Sequence, residues 1–454
     1  MALTDENLAA AAAENQYLRG NFAPLRSEGH ADDLRVEGTI PDGLDGHLLR
    51  TTPNPAGAVG PTHHWFLGDG MTHGIELCDG RAVGHRWSWV RTPGVEAATG
   101  LAAAPLIDPA ARGNGNVNVI GHAGRILALS EVGLPWQLTT DTATVGQWDF
   151  DGALQPAWNV TAHPKIDPVT GELLFFGYDF GPTTLRYHRA DADGTLVQTE
   201  DIATEGPTMM HDFNITETRV VFMDLPVVFD LNLLVDGMTM PFRWDDDYGA
   251  RLGVMPRTGG SDDVQWIEID PCYVFHPFNA YDDGDRIVVD VARYDRMFAT
   301  SRIGPEEPRA ARWFRWTIDP GSGTVREEQR GDESIEFPRI DDRFIGRRHR
   351  IGWAGRMKEG FVTEAFLRYD LDAGTTQTWD PGPDRSLSEA VHVPARPDAP
   401  EGDGWLLAPV FDRTTERSAV VILDAADLPA GPVATVHLTT RIPFGFHGNW
   451  IPAT

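Results

Sequence analysis

The chain has 454 residues, 67 of them acidic against 38 basic, for a formal net charge of −29. That balance disfavours nucleic acid and anionic membrane faces as partners, since both would repel it. Two cysteines, Cys78 and Cys272, without CxxC spacing, exclude a disulfide framework and fit a reduced, cytoplasmic setting. The first residues carry acids where a secretory signal carries bases, and no window approaches the roughly 18 apolar residues of a transmembrane helix.

With Gly 47, Pro 33, many short β-runs and few helical stretches, the composition predicts an all-β chain rich in turns. In chain order, residues 1–20 predict an N-terminal helix, and 22–60 an extended arm with turns at PDGLDG and TTPNPAG. HHWFLGDGMTHGIEL (63–77) predicts a strand, a Gly-Asp-Gly turn and a second strand. His63, His64 and His73 lie beside that turn and read as structural. RAVGHRWSWVRTP (81–93) alternates as a half-buried pair of strands, 94–112 reads as an Ala- and Pro-rich loop, and 116–138 gives two strands about a turn. Residues 140–160 predict a strand-turn-strand piece. Hairpins follow at 184–202, 311–329, 336–353, 360–379, 389–412 and 418–438. Residues 225–256 break the rhythm with an apolar insertion, which reads either as a lid or substrate entrance or as a packed connector. Repeated strand-turn-strand units without long helices predict one β-propeller domain over 1–454, closed on a central axis where residues from different blades meet.

Four histidines share a context. His163 in NVTAHPKIDP, His211 in PTMMHDFNIT and His276 in CYVFHPFNAY each follow an apolar or small residue and lead through a turn into a β-run. His447, in RIPFGFHGNWIP, lies in an apolar stretch where a chain end is ordinarily polar and frayed. A single such histidine is more often an ordinary core residue. Four on separate strands, too far apart in sequence for a local zinc motif, point to a site assembled by the fold. An all-nitrogen donor set is unusual for structural zinc and leaves two cis positions open on an octahedral metal, which favours iron chemistry. Metal-binding imidazoles are usually held in one tautomer by a carboxylate. Glu131 after ILAL, Glu336 in IEFPRI and Glu389 in SLSEAVHVP stand at the edges of apolar strands and suit that task. His30-Ala31-Asp32 has facial-triad spacing but sits in the N-terminal arm, which disfavours a 2-oxoglutarate oxygenase.

Taken together, VEGTIPDGLDGHLLRTTPNP (36–55), HHWFLGDGMTHGI (63–75), VRTP (90–93), ILALSEVGLP (126–135), AHPKIDPVTGEL (162–173), MMHDFNIT (209–216), FHPFNAY (275–281), EFPRI (336–340), SEAVHVP (388–394), APEGDGWLL (399–407) and GFHGNW (445–450) resemble the carotenoid cleavage oxygenase family. That family includes carotenoid-, apocarotenoid- and stilbene-cleaving enzymes and is similar to the retinoid isomerohydrolases. The resemblance covers nearly the whole chain. It implies a seven-bladed β-propeller with iron(II), Fe(2+), on the axis and a loop and helical cap over the active site. Its ligands fall on His163, His211, His276 and His447. Its supporting acids fall on Glu131, Glu336 and Glu389, orienting His211, His276 and His447 respectively and leaving His163 without a carboxylate. The substrate and oxygen pocket is assigned to Val117, whose methyl crowds an open iron position, with Ser130 and Phe278.

Departures bear on substrate. TTPNP replaces the frequent NGPNP, WSWVRTP lacks a tyrosine common before VRTP, and Ser130 stands where stilbene- and phenylpropenoid-cleaving members carry a phenol-binding lysine. The resemblance therefore implies an iron(II) dioxygenase that splits a double bond of a carotenoid or apocarotenoid with O2 into two carbonyl products. Transient membrane contact would serve substrate uptake. The alternatives are cleavage of a stilbene or phenylpropenoid alkene and, from another class, a non-catalytic lipid- or protein-binding propeller.

Overall fold

Antiparallel neighbours in sequence fold back on one another throughout the computed structural model, which describes residues 12, 15–60, 62–109, 112–181, 183–299, 311–358 and 361–453. They make two compact units, Met1–Ala157 with Val362–Leu367 and Gln377–Thr454, and Trp158–Phe361 with Arg368–Thr376.

In the first unit a five-stranded sheet runs in the order Gly29–Asp32, Arg81–Trp89, Gly70–Cys78, Gly46–Pro53, Gly448–Pro452. A four-stranded meander follows, Asn118–His122, Arg125–Leu129, Trp136–Leu138 and Thr144–Gln147. A further sheet carries Arg35–Gly38 on Pro432–His437, then Arg417–Asp424 and Gly404–Asp412. Leu48, Ile75, Val391, Leu407, Ile422 and Val436 form one buried cluster. Burying each such side chain contributes roughly 1.5–3 kcal/mol.

The second unit holds three four-stranded meanders. They are Lys165–Ile166 through Leu196–Ala203, Asn214–Ile215 through Gln265–Glu268, and Tyr273–Asp283 through Thr324–Gln329. Ile335–Ile340 pairs with Ile351–Met357. Inner strands such as Leu173–Tyr178 (LLFFGY) are buried on both faces, whereas the outer strand Leu196–Ala203 alternates between half-buried and exposed residues. Pattern thus follows position in the sheet. In the hairpin between Tyr273–Asp283 and Arg286–Tyr294, Gly284 takes the left-handed φ of 62° that its first loop position requires. Meanders of this kind are the repeating part of a β-propeller. Among the described residues no helix is long and apolar enough to cross a membrane.

Several expectations are corrected. Most of the N-terminal helix expected over 1–20 lies outside the described residues; of the rest, Ala12 is helical, and from residue 16 on the chain forms two short 3₁₀ turns instead, Gln16–Leu18 and Gly20–Phe22. The extended arm over 22–60 is three strands, Gly29–Asp32 on Arg81–Trp89, Arg35–Gly38 on the distant Pro432–His437, and Gly46–Pro53 between Gly70–Cys78 and the distant Gly448–Pro452. His64 Nδ1 accepts the Phe66 N–H at 3.1 Å and starts a 3₁₀ turn, Trp65–Leu67, so the strand begins only at Gly70. Residues 81–93 give one strand, Arg81–Trp89, and 140–160 give one, Thr144–Gln147. The loop over 94–112 opens with a helix, Pro93–Thr99. Thr92 caps its first turn, Pro93 fills N1, and Gly100 ends it at φ 78°. The insertion 225–256 contains a strand pair, Val227–Phe229 with Phe242–Trp244, and between them an exposed helix, Leu231–Val235.

Several buried histidines outside the four are packed as neutral groups. Burial lowers His85 and His188 to about 3 and His349 to about 4, and holds His73 well below its ordinary range. His73 Nδ1 and His85 Nε2 lie 3.2 Å apart. Because the folded values lie below the unfolded value near 6.5, this stability is complete above that pH and is lost as pH falls toward the folded values. Each such group should cost about 1.4 kcal/mol per pH unit below about 6.5. Thermal melting should show Tm dropping between about pH 7 and about pH 5, more gently for His188→Gln. A wild-type profile flat across that window would contradict the assignment.

Candidate metal centre

Each of the four histidines stands on, or one to three residues ahead of, a strand at the end of its sheet. His163 precedes Lys165–Ile166, His211 precedes Asn214–Ile215, His276 lies within Tyr273–Asp283, and His447 precedes Gly448–Pro452. At His276 the ladder slips on both sides of Pro277. Proline has no N–H to give to a ladder, and a bulge re-aims the neighbouring side chain.

Within the second unit three imidazoles converge. Ring centroids lie 4.4 Å apart for His163 and His211, 5.1 Å for His163 and His276, and 5.2 Å for His211 and His276, with tilts of 55°, 53° and 71°. Imidazoles bound to one ion at about 2.1 Å place their centroids about 3.2 Å from it, so neighbours sit about 4.5–5.2 Å apart. The three rings therefore have the spacing of ligands on a common metal, and imidazole nitrogen suits iron, cobalt, copper or zinc.

Glu336 holds His276. Its Oε2 accepts from Nδ1 of His276 at 2.6 Å and from the Phe337 N–H at 2.6 Å, and its Oε1 accepts from the Tyr294 hydroxyl at 3.0 Å. Burial, and then the Glu336 charge, hold the Tyr294 phenol well above its ordinary range, so it stays a donor. With Nδ1 donating, Nε2 of His276 is left as the basic nitrogen. Phe337 stacks on this ring at 5.5 Å, and Phe275 meets His211 edge-on at 5.1 Å.

His163 differs from expectation. The resemblance leaves it without a carboxylate, but Asp212 Oδ2 stands 3.5 Å from its Nδ1, while Asp212 Oδ1 takes the Lys165 ammonium at 2.7 Å.

Within the first unit, His447 Nδ1 donates to Glu389 Oε1 at 2.9 Å, and Gly448 N–H to Glu389 Oε2 at 3.1 Å. The His447 N–H reaches the carbonyl of Val117 at 3.1 Å. The tail ahead of it is pinned on several sides. Arg50 donates to Phe446 O, Trp65 Nε1 to Phe444 O and Asn21 Nδ2 to Ile442 O, at 2.8, 3.0 and 3.0 Å. Val117 is buried beside this tail, and Glu131 is half-buried just past Arg125–Leu129. Ser130 is buried, its hydroxyl donating to Val132 O at 2.8 Å and accepting from the Asn114 N–H at 3.3 Å. Phe278 packs against Trp313 and Tyr369, at 5.9 and 6.2 Å. His30 and Asp32 are exposed on an edge strand.

Asp212, Lys165, Tyr294, Phe275 and Phe337 were not singled out from sequence. Four of them adjoin, or lie within two residues of, a histidine or acid already marked, and that proximity was the available signal.

Residues 22–452 match the model of the family described as retinal pigment epithelial membrane protein, RPE65. A carotenoid cleavage oxygenase of Mycobacterium tuberculosis is 39% identical, over 98% of this chain and 99% of its own length. The crystal structure of Pseudomonas brassicacearum lignostilbene dioxygenase superposes with a TM-score of 0.86 at 30% identity, covering 96% of this chain and 98% of that one. Cobalt-substituted Synechocystis ACO gives 0.85 at 27% identity, covering 95% and 97%. The β-propeller expected from the strand pattern is the fold of these structures.

After reconstitution with a divalent transition metal, His276→Ala is expected to retain none. Glu336→Gln should weaken retention by roughly tenfold or more, and Tyr294→Phe by less. Metal content per chain measures this, and a wild-type value in His276→Ala would rule out the assignment.

Proposed function

Because the chain belongs to the RPE65 family of carotenoid cleavage oxygenases, which are oxidoreductases, we propose that it splits a carbon–carbon double bond of an apolar polyene with O2, and that His163, His211, His276 and His447 hold the iron(II) it uses. The observation that carries the reading is the donor set: the ligand atoms of His163, His211 and His276 in the second unit lie within 4.8 Å of one another, and His447 in the first unit is oriented by a buried carboxylate as His276 is. Nitrogens on one ion at about 2.1 Å are about 3 to 4.2 Å apart, so a small inward shift suffices. When bound, iron(II) supplies the O2 chemistry that organic side chains cannot.

The reaction balances without a reductant. An alkene R–CH=CH–R′ and O2 give RCHO and R′CHO, with the four electrons coming from the alkene carbons. The protein's share is to hold and exclude. Glu336 and Glu389 fix two imidazoles with Nε2 as the basic nitrogen, and Glu131 is assigned the same task at His211. Phe275 and Phe337 give the histidines an apolar flank suited to a hydrocarbon and hostile to water. Val117, whose carbonyl accepts the His447 N–H, is assigned the task of narrowing the site.

The likeness to lignostilbene dioxygenase favours a second substrate class, phenolic alkenes. Against it stands Ser130, whose hydroxyl is engaged by Val132 and Asn114 where phenol-binding members carry lysine. Holoenzyme incubated under ¹⁸O2 with an apocarotenal, and separately with a hydroxystilbene, distinguishes the two. The expected outcome is labelled carbonyl products from the apocarotenal alone. Products from the stilbene alone would transfer the activity to the second class, and O2 consumption with neither would sink the proposal.

The insertion helix Leu231–Val235 supports transient membrane contact, since Leu231, Leu234 and Val235 are 62%, 43% and 78% exposed. Replacing all three with serine should lower turnover of an apocarotenal embedded in phosphatidylcholine vesicles severalfold. Turnover of detergent-dispersed substrate should stay unchanged. Equal rates on vesicles would remove the membrane role.

A further inference from the structure

We infer that Asp212, held by Lys165, is the positioning residue for His163, so that the histidine expected to lack a carboxylate is oriented by a charge-neutralised one. This rests on the reading of the four histidines as metal ligands.

Three observations in the second unit carry it. Asp212 is buried, its side chain 3% exposed, with Oδ2 at 3.5 Å from His163 Nδ1. That is the same ring nitrogen that faces Glu336 in His276 and Glu389 in His447. The carboxylate is anchored independently of His163, by Lys165 Nζ at 2.7 Å and by the N–H of Phe213 at 2.6 Å, both on Oδ1. Finally, the backbones around the two groups are tied together. Thr161 Oγ1 accepts the His163 N–H at 3.1 Å and donates to the carbonyl of His211 at 3.3 Å.

A buried carboxylate is costly unless compensated, and Lys165 compensates this one. The consequence for the imidazole is a difference of degree. At His276 the carboxylate shares its charge with neutral donors, a phenol and an amide. At His163 the carboxylate already faces an ammonium and stands farther off, so it pulls less on Nδ1–H. His163 is thereby fixed in orientation while remaining a weaker donor than His276. Asp212 also follows His211 directly in the chain, so one stretch of backbone sets the position of one imidazole and steers a second.

The test uses cobalt(II) as a visible-spectrum probe in full-length protein. Asp212→Asn keeps the volume and an acceptor oxygen but removes the charge. It is expected to weaken cobalt affinity about tenfold, measured against a competing chelator, and to shift the cobalt absorption bands. Lys165→Met should shift the bands as well, while Lys165→Arg restores the wild-type spectrum. Melting of the metal-free proteins separates a structural role, which would lower Tm and leave affinity and spectrum alone. Wild-type affinity and bands in Asp212→Asn would overturn the inference by itself. Failure of the wild-type protein to take up cobalt would overturn the four-histidine site, and this inference with it.

Discussion

Much of the site depends on carboxylates placed where water cannot reach them. Glu336 is fully buried, and leaving it there unpaired would cost several kcal/mol. Its position is sustained by an imidazole N–H, a phenol and an amide, all donating. The arrangement constrains in both directions. The donors hold the acid, and the acid fixes which nitrogen of His276 carries the proton and therefore where the basic nitrogen points. Glu389 repeats this with His447 and the Gly448 amide, using the same ring nitrogen. Rigid orientation of imidazoles is thus a property of the folded chain, built before any ligand enters.

The chain ends serve the same purpose. Gly448–Pro452 pairs with Gly46–Pro53, and Arg35–Gly38 pairs with Pro432–His437, so strands from the two ends close sheets of the first unit. The tail carrying His447 is covered by Trp65, which packs on Phe446 at 4.3 Å, and by Phe22, which meets Phe444 at 4.9 Å. Contacts so distant in sequence cost loop-closure entropy before they return anything. His447 therefore reaches its place only when the sheets of that unit are complete.

The histidines were legible because chemistry forced an unusual local context. An imidazole among apolar residues at a chain end, or followed by proline inside a β-run, is hard to explain by surface exposure. The hairpins were legible because alternation and Gly/Asp turns are local. What failed was non-local or masked by composition. The 22–60 region read as an arm because its strand partners lie up to about four hundred residues away. The helix Pro93–Thr99 carried its full signature, a Thr cap, proline at N1 and a terminal glycine, but was hidden by an Ala/Pro-rich stretch. Asp212 is not legible in the sequence, which places it beside His211, while the fold brings it to His163.

Selectivity follows from where hydrogen-bonding capacity is spent. A site that recognises a phenol must keep a buried donor or acceptor in reserve, and a substrate lacking that phenol is then rejected strongly. Here the polar groups beside the marked histidines and acids of each unit are committed elsewhere. The Ser130 hydroxyl serves Val132 and Asn114, the Tyr294 hydroxyl serves Glu336, and the Lys165 ammonium serves Asp212. The rings beside the imidazoles are phenylalanines. Recruiting any of these committed groups for a substrate phenol would strip a partner from a buried acid or loop, and that loss would offset the new hydrogen bond to the phenol. A hydrocarbon chain asks for no such exchange and is stabilised by every apolar surface it covers, which is why the same interactions that orient the imidazoles also favour a polyene.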